Sequence, residues 1–220
     1  MTIYEHAMLG INGALALGLQ RRHGWPLVAM AGLAAVLPDV DGLALVLGPT
    51  CYAAGHRVWT HGLLSAGVAA AIAAAVVYAW DIFTRVQRRL ARWGVLPVEA
   101  TPARCESNTL LESDAAIGPR CGRELLLWIC VSVVAAYSHL LTDIFFSGGR
   151  GQPLWGVPIG WPFSNAVQAC PLVPWGDVGV TAVFAAGTFA MLRWRTRTQT
   201  IAAGTLCLVA IYVAGRGVFS

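Results

Sequence analysis

The chain has 220 residues, 57% apolar and only 12% charged, which is too apolar for a soluble domain to cover with a polar shell. A lipid bilayer is the expected solvent. The formal charge of +4 is carried by arginine, since the chain contains no lysine, so its placement decides whether it speaks for nucleic acid or for membrane topology.

In chain order, apolar stretches predict an all-α, polytopic transmembrane bundle of about six helices. They cover 3–20, 25–47 with a break at Pro38, 62–83, 124–146, 178–193 and 200–216, since about 17–25 apolar residues cross a bilayer and shorter spans serve where it thins. The N-terminus, Met1-Thr2-Ile3-Tyr4-Glu5-His6, lacks the basic region of a cleaved signal peptide and is expected to be mature sequence. Residues 84–123, rich in Arg, Pro, Glu and Ser, read as a flexible loop, with an amphipathic helix extension around Arg85–Arg92. Residues 147–177 read as a loop on the opposite side. The whole of 1–220 is expected to form one membrane-embedded domain.

Arginine placement orients the bundle. Arg21, Arg22, Arg85, Arg88, Arg89, Arg92, Arg104, Arg120, Arg123, Arg193, Arg195 and Arg197 all fall on one side of six spans, leaving Arg57, Arg150 and Arg216 on the other. Short basic loops stay cytoplasmic, so both termini are expected outside. Trp25, Trp80, Trp128 and Trp194 would mark the arginine-rich interface, and Trp59, Trp155, Trp161 and Trp175 the opposite one. With the basic charge explained by topology, and no groove-binding motif, nucleic acid is not an expected partner. The six cysteines include no C-x-x-C pair; Cys51 and Cys170 share a side and could pair there.

Ionisable side chains inside a membrane are costly, so each is a functional candidate. The candidates are His6 in the first helix, Asp39 and Asp41 in Leu37-Pro38-Asp39-Val40-Asp41, His56, Arg57, Thr60 and His61 before the third, and His139 with Asp143 in the fourth. At about 1.5 Å per residue from the arginine-rich edge, His6, Asp39 and His139 lie at about 21–22 Å and His61 at about 28 Å. Four helices thus deliver His or Asp to one end of the bundle. His139 and Asp143, four apart, share a helix face and can hold one ion. Pro38 should break the second helix and turn Asp39 and Asp41 into a non-helical corner facing one or two metals. Imidazole and carboxylate without thiolate favour divalent zinc, or manganese, in a hydrolytic site over a closed structural zinc. Each residue also has a bland reading: a terminal or loop histidine, a helix-end aspartate, or a His139–Asp143 hydrogen bond. Arg57 is placed to clamp a phosphate or another oxyanion, or to anchor a headgroup.

These residues together resemble a known family, the membrane-bound metal-dependent hydrolases of bacteria and archaea (YdjM-like). The resemblance rests on His6, the Leu-Pro-Asp-x-Asp stretch 37–41, His-Arg-x-x-Thr-His at 56–61, His-x-x-x-Asp at 139–143, and a Gly-rich outer loop ending in Trp161-Pro162-Phe163. It implies metal-dependent hydrolysis and a His/Asp pattern similar to the zinc-dependent phospholipase C and P1 nuclease group. The family often has Gly after His-Arg and Ser after Thr-His, where this chain has Val58 and Gly62.

The expected activity is therefore hydrolysis of a phosphoester in a membrane lipid or lipid-linked substrate, at the extracytoplasmic side of a prokaryotic inner membrane. His6, Asp39, Asp41, His56, His61, His139 and Asp143 would ligate one or two metal ions, at most three. One carboxylate, Asp39 by preference, would act as general base instead of ligand, Arg57 would offset phosphoryl charge, and Thr60 would position a ligand or water. A transporter with a buried ion pathway and a metal-stapled scaffold are the alternatives. The apolar cytoplasmic halves of the third and fourth helices weigh against a continuous path.

Overall fold

The computed structural model describes residues 1–48, 50–51, 58–93, 122–148 and 154–218. Among them the chain is helical, with eight α-helices and no strand beyond an isolated antiparallel bridge between Val157 and Gln168. It is a helical membrane bundle. Helix α1 (Ile3–Ala16) opens on a capping box: the Thr2 hydroxyl accepts from the Glu5 N–H and the Glu5 carboxylate accepts from the Thr2 N–H. The first span ends four residues earlier than 3–20 predicts, because Gly18 turns the chain into the short α2 (Leu19–His23). Helix α3 (Trp25–Val36) carries Pro26 in its first turn, where a missing N–H costs nothing, and passes without a gap into a 3₁₀ helix over Leu37–Leu47. Asp39 and Asp41 therefore lie on a tightened helix, not in the non-helical corner expected after Pro38.

Helix α4 (Leu63–Ala79) is followed by α5 (Ile82–Arg92) across a 52° bend at Trp80 and Asp81. Helices α6 (Gly122–Phe145), α7 (Val178–Arg193) and α8 (Thr198–Val218) complete the bundle. Among the described residues three segments are long and apolar enough to cross a membrane alone, namely Trp25–Leu47, Gly122–Phe145 and Arg195–Val218, and the number is four when the bent α4–α5 pair is counted as one span. His6, Asp39, His61, His139 and Asp143 stand together at one end of the bundle. The described arginines of α2, α5, the start of α6 and the α7–α8 turn stand at the other.

In lipid, burying an alkyl group against protein gains little over burying it in acyl chains, so close backbone approach decides the packing. Helix α3 packs along α1 through Ala31, Gly32, Ala34 and Ala35, all buried. A Cβ at Gly10 would come within 2.4 Å of the Ala31 carbonyl oxygen, so α1 needs glycine where it crosses α3. Helix α4 packs along α6, which also leans on α3. Trp128, expected at an interface, is instead buried in this core, edge-on to Tyr78 at 5.6 Å.

The segment from 154 to 177 folds over the polar end. Cys170 and Val173 donate N–H bonds to Ile144 and Phe145 at the end of α6, and Leu63 at the start of α4 donates to Ile159. Cys51 and Cys170 are free thiols, so the pairing open to them in sequence is not formed.

Candidate metal centre

Four side chains from three segments of the chain meet at this end. Asp39 comes from the 3₁₀ helix, His61 from the turn before α4, and His139 and Asp143 from one face of α6. One ligand atom of each lies within 4.8 Å of all the others. His139 Nε2 is 3.3 Å from His61 Nε2, 3.5 Å from Asp39 Oδ1 and 3.6 Å from Asp143 Oδ2. His61 Nε2 is 3.6 Å from Asp39 Oδ1 and 3.5 Å from Asp143 Oδ2. A tetrahedron of nitrogen and oxygen donors at about 2.0–2.2 Å from a central ion has edges of about 3.3–3.6 Å. Five edges of the cluster match that size.

The protons tell the same story. In the i→i+3 winding that begins after Val36, the Ala35 carbonyl would be served by the N–H of residue 38, and Pro38 has none. His139 Nδ1 fills the gap, 2.8 Å from the Ala35 oxygen, so a neutral His139 carries its proton on Nδ1 and its lone pair on Nε2. On His61, Nδ1 is 3.0 Å from the Thr60 hydroxyl, which itself donates to Asp41 Oδ2 at 2.8 Å. The hydroxyl proton being spent on a carboxylate, Thr60 accepts from His61 Nδ1–H. Both imidazoles then aim lone pairs at the same point as two carboxylates. Four acceptors converging there are what a cation requires.

Asp41 does not join the four. A 3₁₀ helix advances about 120° per residue, so residues two apart diverge around the axis. Asp39 thus reaches the Nε2 side of His61, while Asp41 lies 3.7 Å from Nδ1, behind the ring. Carboxylate, hydroxyl and imidazole form the kind of supporting chain that orients metal-binding histidines. His61, in the turn before Leu63, meets His139 through its ring, the two Nε2 atoms lying 3.3 Å apart.

His6 sits beside this group. Its Nε2 is 3.2 Å from Asp143 Oδ1, its ring stacks on His139 with centroids 3.7 Å apart, and its Nδ1 is 3.4 Å from the Thr142 hydroxyl. The Met1 amino group is 3.1 Å from the same Asp143 oxygen. Asp143 therefore turns one oxygen to His61 and His139 and the other to His6 and Met1. His56 and Arg57 lie outside the described residues.

The three histidines and Asp143 are buried, and Asp39, with 16% of its side chain exposed, is the cluster's outlet to the surface. Around it the 3₁₀ helix exposes Val40, Leu43, Leu45, Val46 and Leu47. Gly62 bears on the site through the covering segment. A Cβ there would come within 2.6 Å of the Trp161 carbonyl oxygen, so a serine at this position would push that segment away from the turn that carries His61.

Two contributors were not singled out from sequence. The Ala35 carbonyl is backbone and has no sequence signal. Glu5, buried and bonded by Thr181 at 2.6 Å, fixes the start of α1 against α7, and its capping-box spacing from Thr2 was the available clue. Asp177, a weaker site candidate in the sequence, caps α7 through the Gly179 N–H and is bonded by Tyr212 at 2.6 Å and Arg216 at 2.9 Å, which ties α7 to α8.

Residues 1–219 match the family model described as YdjM inner membrane protein. No curated protein and no solved structure matches the chain.

Proposed function

The chain belongs to the YdjM inner membrane protein family, and on that footing we propose that it is a metal-dependent hydrolase acting on a phosphoester of a lipid or lipid-linked substrate. The observation that carries this reading is the convergence of two imidazole lone pairs and two carboxylates on one point, with edges of metal-site size. Asp39, His61, His139 and Asp143 would hold the ion, zinc by preference and manganese as the alternative. His6 with the second oxygen of Asp143 would serve a further ion. Such a metal, when bound, supplies Lewis-acid polarisation of a phosphoryl oxygen and lowers the pKa of water.

The chain's own residues supply the rest. Asp39, the carboxylate at the outlet, is the base best placed to take a proton from an entering water, and in that role it would leave its ligand position to the water. Thr60 and Asp41 hold the His61 ring in its ligating orientation. Arg57, next to candidate ligands in sequence, would offset negative charge on the phosphoryl group. The apolar face of the 3₁₀ helix beside Asp39 suits an acyl or prenyl tail lying in the membrane. The arginine asymmetry supports an extracytoplasmic site and outside termini in a prokaryotic inner membrane, with 1–220 acting as one embedded domain.

The test is turnover of phospholipid and phosphomonoester panels by purified protein, before and after chelation and with zinc or manganese restored. Metal-dependent release of phosphate or of a headgroup, lost in Asp39→Ala, is the expected result. Bound metal with no turnover of any panel member would refute the hydrolase reading and favour a metal-stapled scaffold.

A further inference from the structure

At the end of the bundle away from the metal centre, helix α5 leaves the line of α4 by 52° and presents Arg85, Arg88, Arg89 and Arg92. Their i, i+3, i+4, i+7 spacing puts all four on one helix face. Ile82, Phe83, Val86 and Leu90 occupy the adjoining face, and Ile82 and Phe83 pack on the core. Arg88 pairs with Asp81 at 3.7 Å, and among the described residues no ion pair engages Arg85, Arg89 or Arg92. The guanidinium groups line an open cleft of about 760 Å³ whose remaining walls are apolar, from Trp80, Ile82 and Val86. Trp80 and Trp93, at the two ends of α5, are exposed by 62% and 72%.

We propose that this cleft is a binding site for the phosphate headgroup of an anionic phospholipid, with α5 lying along the membrane surface. Guanidinium groups bind phosphate in bidentate fashion, and three of the four have no carboxylate of the described chain to compete. The apolar wall continues the cleft where the acyl chains of a headgroup-bound lipid would run, which a free phosphate ion would not need. Flanking tryptophans are the side chains that settle at headgroup level. A basic face beside an apolar one, on a helix bent out of the bundle, is the pattern of a helix lying in the interface. The site is remote from the His/Asp cluster, so its occupation is independent of the hydrolase reading.

Full-length protein in neutral detergent, titrated with phosphatidylglycerol or phosphatidylcholine of identical chains and read by native mass spectrometry, tests the proposal. Phosphatidylglycerol should bind at least about tenfold tighter, and its affinity should fall as salt rises. The variant R85Q/R88Q/R89Q/R92Q should lose the preference, and the four-lysine version should keep most of it. A matched control, R22Q/R193Q/R195Q/R197Q, should bind as the parent does. Should the glutamine variant fail to fold, R85Q/R89Q alone should lower the preference by at least about threefold. Equal affinity for the two lipids, unchanged binding in the glutamine variants, an equal loss in the control, or displacement of lipid by millimolar inorganic phosphate would each overturn it.

Discussion

Replacing Thr60 by valine removes one hydroxyl and little volume, so it isolates what that hydroxyl does for His61. In the folded chain it accepts from His61 Nδ1 at 3.0 Å and donates to Asp41 at 2.8 Å, and Asp41 itself stands 3.7 Å from Nδ1. The ring can then turn toward Asp41, or hold its proton on Nε2 where a ligand lone pair is needed. Losing such a supporting partner costs about 10–100-fold in metal affinity. With Asp41 close enough to compensate in part, the lower end of that range is expected, which is about 1.4 kcal/mol. Competition against a chromophoric zinc chelator measures it directly. Thr142→Val is the matched control, because that hydroxyl donates within its own helix and stands 3.4 Å from His6, so zinc affinity should change by less than about threefold. Equal affinities in Thr60→Val and the parent would refute the assignment of His61 as a ligand held from behind.

Chelation should lower the thermal midpoint and zinc should restore it, since a ligand present at a hundred times its Kd stabilises the folded state by about 2.7 kcal/mol; calorimetry with and without zinc checks this. Gly62→Ser should destabilise the protein and weaken zinc binding together, because the new Cβ meets the Trp161 carbonyl oxygen beside the His61 turn. Asp177→Asn keeps a capping oxygen for the Gly179 N–H, since asparagine caps as well as aspartate, but loses the charge that faces Arg216, so it should lower the midpoint near neutral pH by no more than about 1 kcal/mol. Burial works to raise the Asp177 carboxyl, but hydrogen bonds from Tyr212 and the Gly179 N–H, together with Arg216, outweigh it and hold the carboxyl below its ordinary 3.8. A carboxyl depressed in the folded state stabilises fully above its unfolded value and ceases to do so as pH falls through its folded one. The parent should therefore lose stability below about pH 4 more steeply than Asp177→Asn, as thermal melts across pH 3–6 would record.

The helical membrane bundle and most of the polar cluster were legible in sequence for a simple physical reason. In so apolar a chain each buried His or Asp stands out against the hydropathy, and the four-residue spacing of His139 and Asp143 needs only a regular helix to become a shared face. Legibility failed where backbone geometry, not residue type, decides the outcome. Pro38 was expected to break the second helix, yet the chain tightens to 3₁₀, and that change separates Asp39, in the cluster, from Asp41, behind His61. The Ala35 carbonyl that orients His139 exists as an acceptor only because of the same local winding. Trp128 entered the core where Tyr78 offers it a ring edge, a contact that no pattern along the chain announces.

The central claim is that Asp39, His61, His139 and Asp143 together hold a divalent metal. Elemental analysis of the zinc-loaded, dialysed protein beside Asp39→Ala and His139→Ala tests it most directly, with circular dichroism to establish that each is folded. At least one equivalent of metal in the parent and its loss in both folded variants is the predicted result. Full metal content in both variants, or a zinc-loaded parent that retains none, would contradict it.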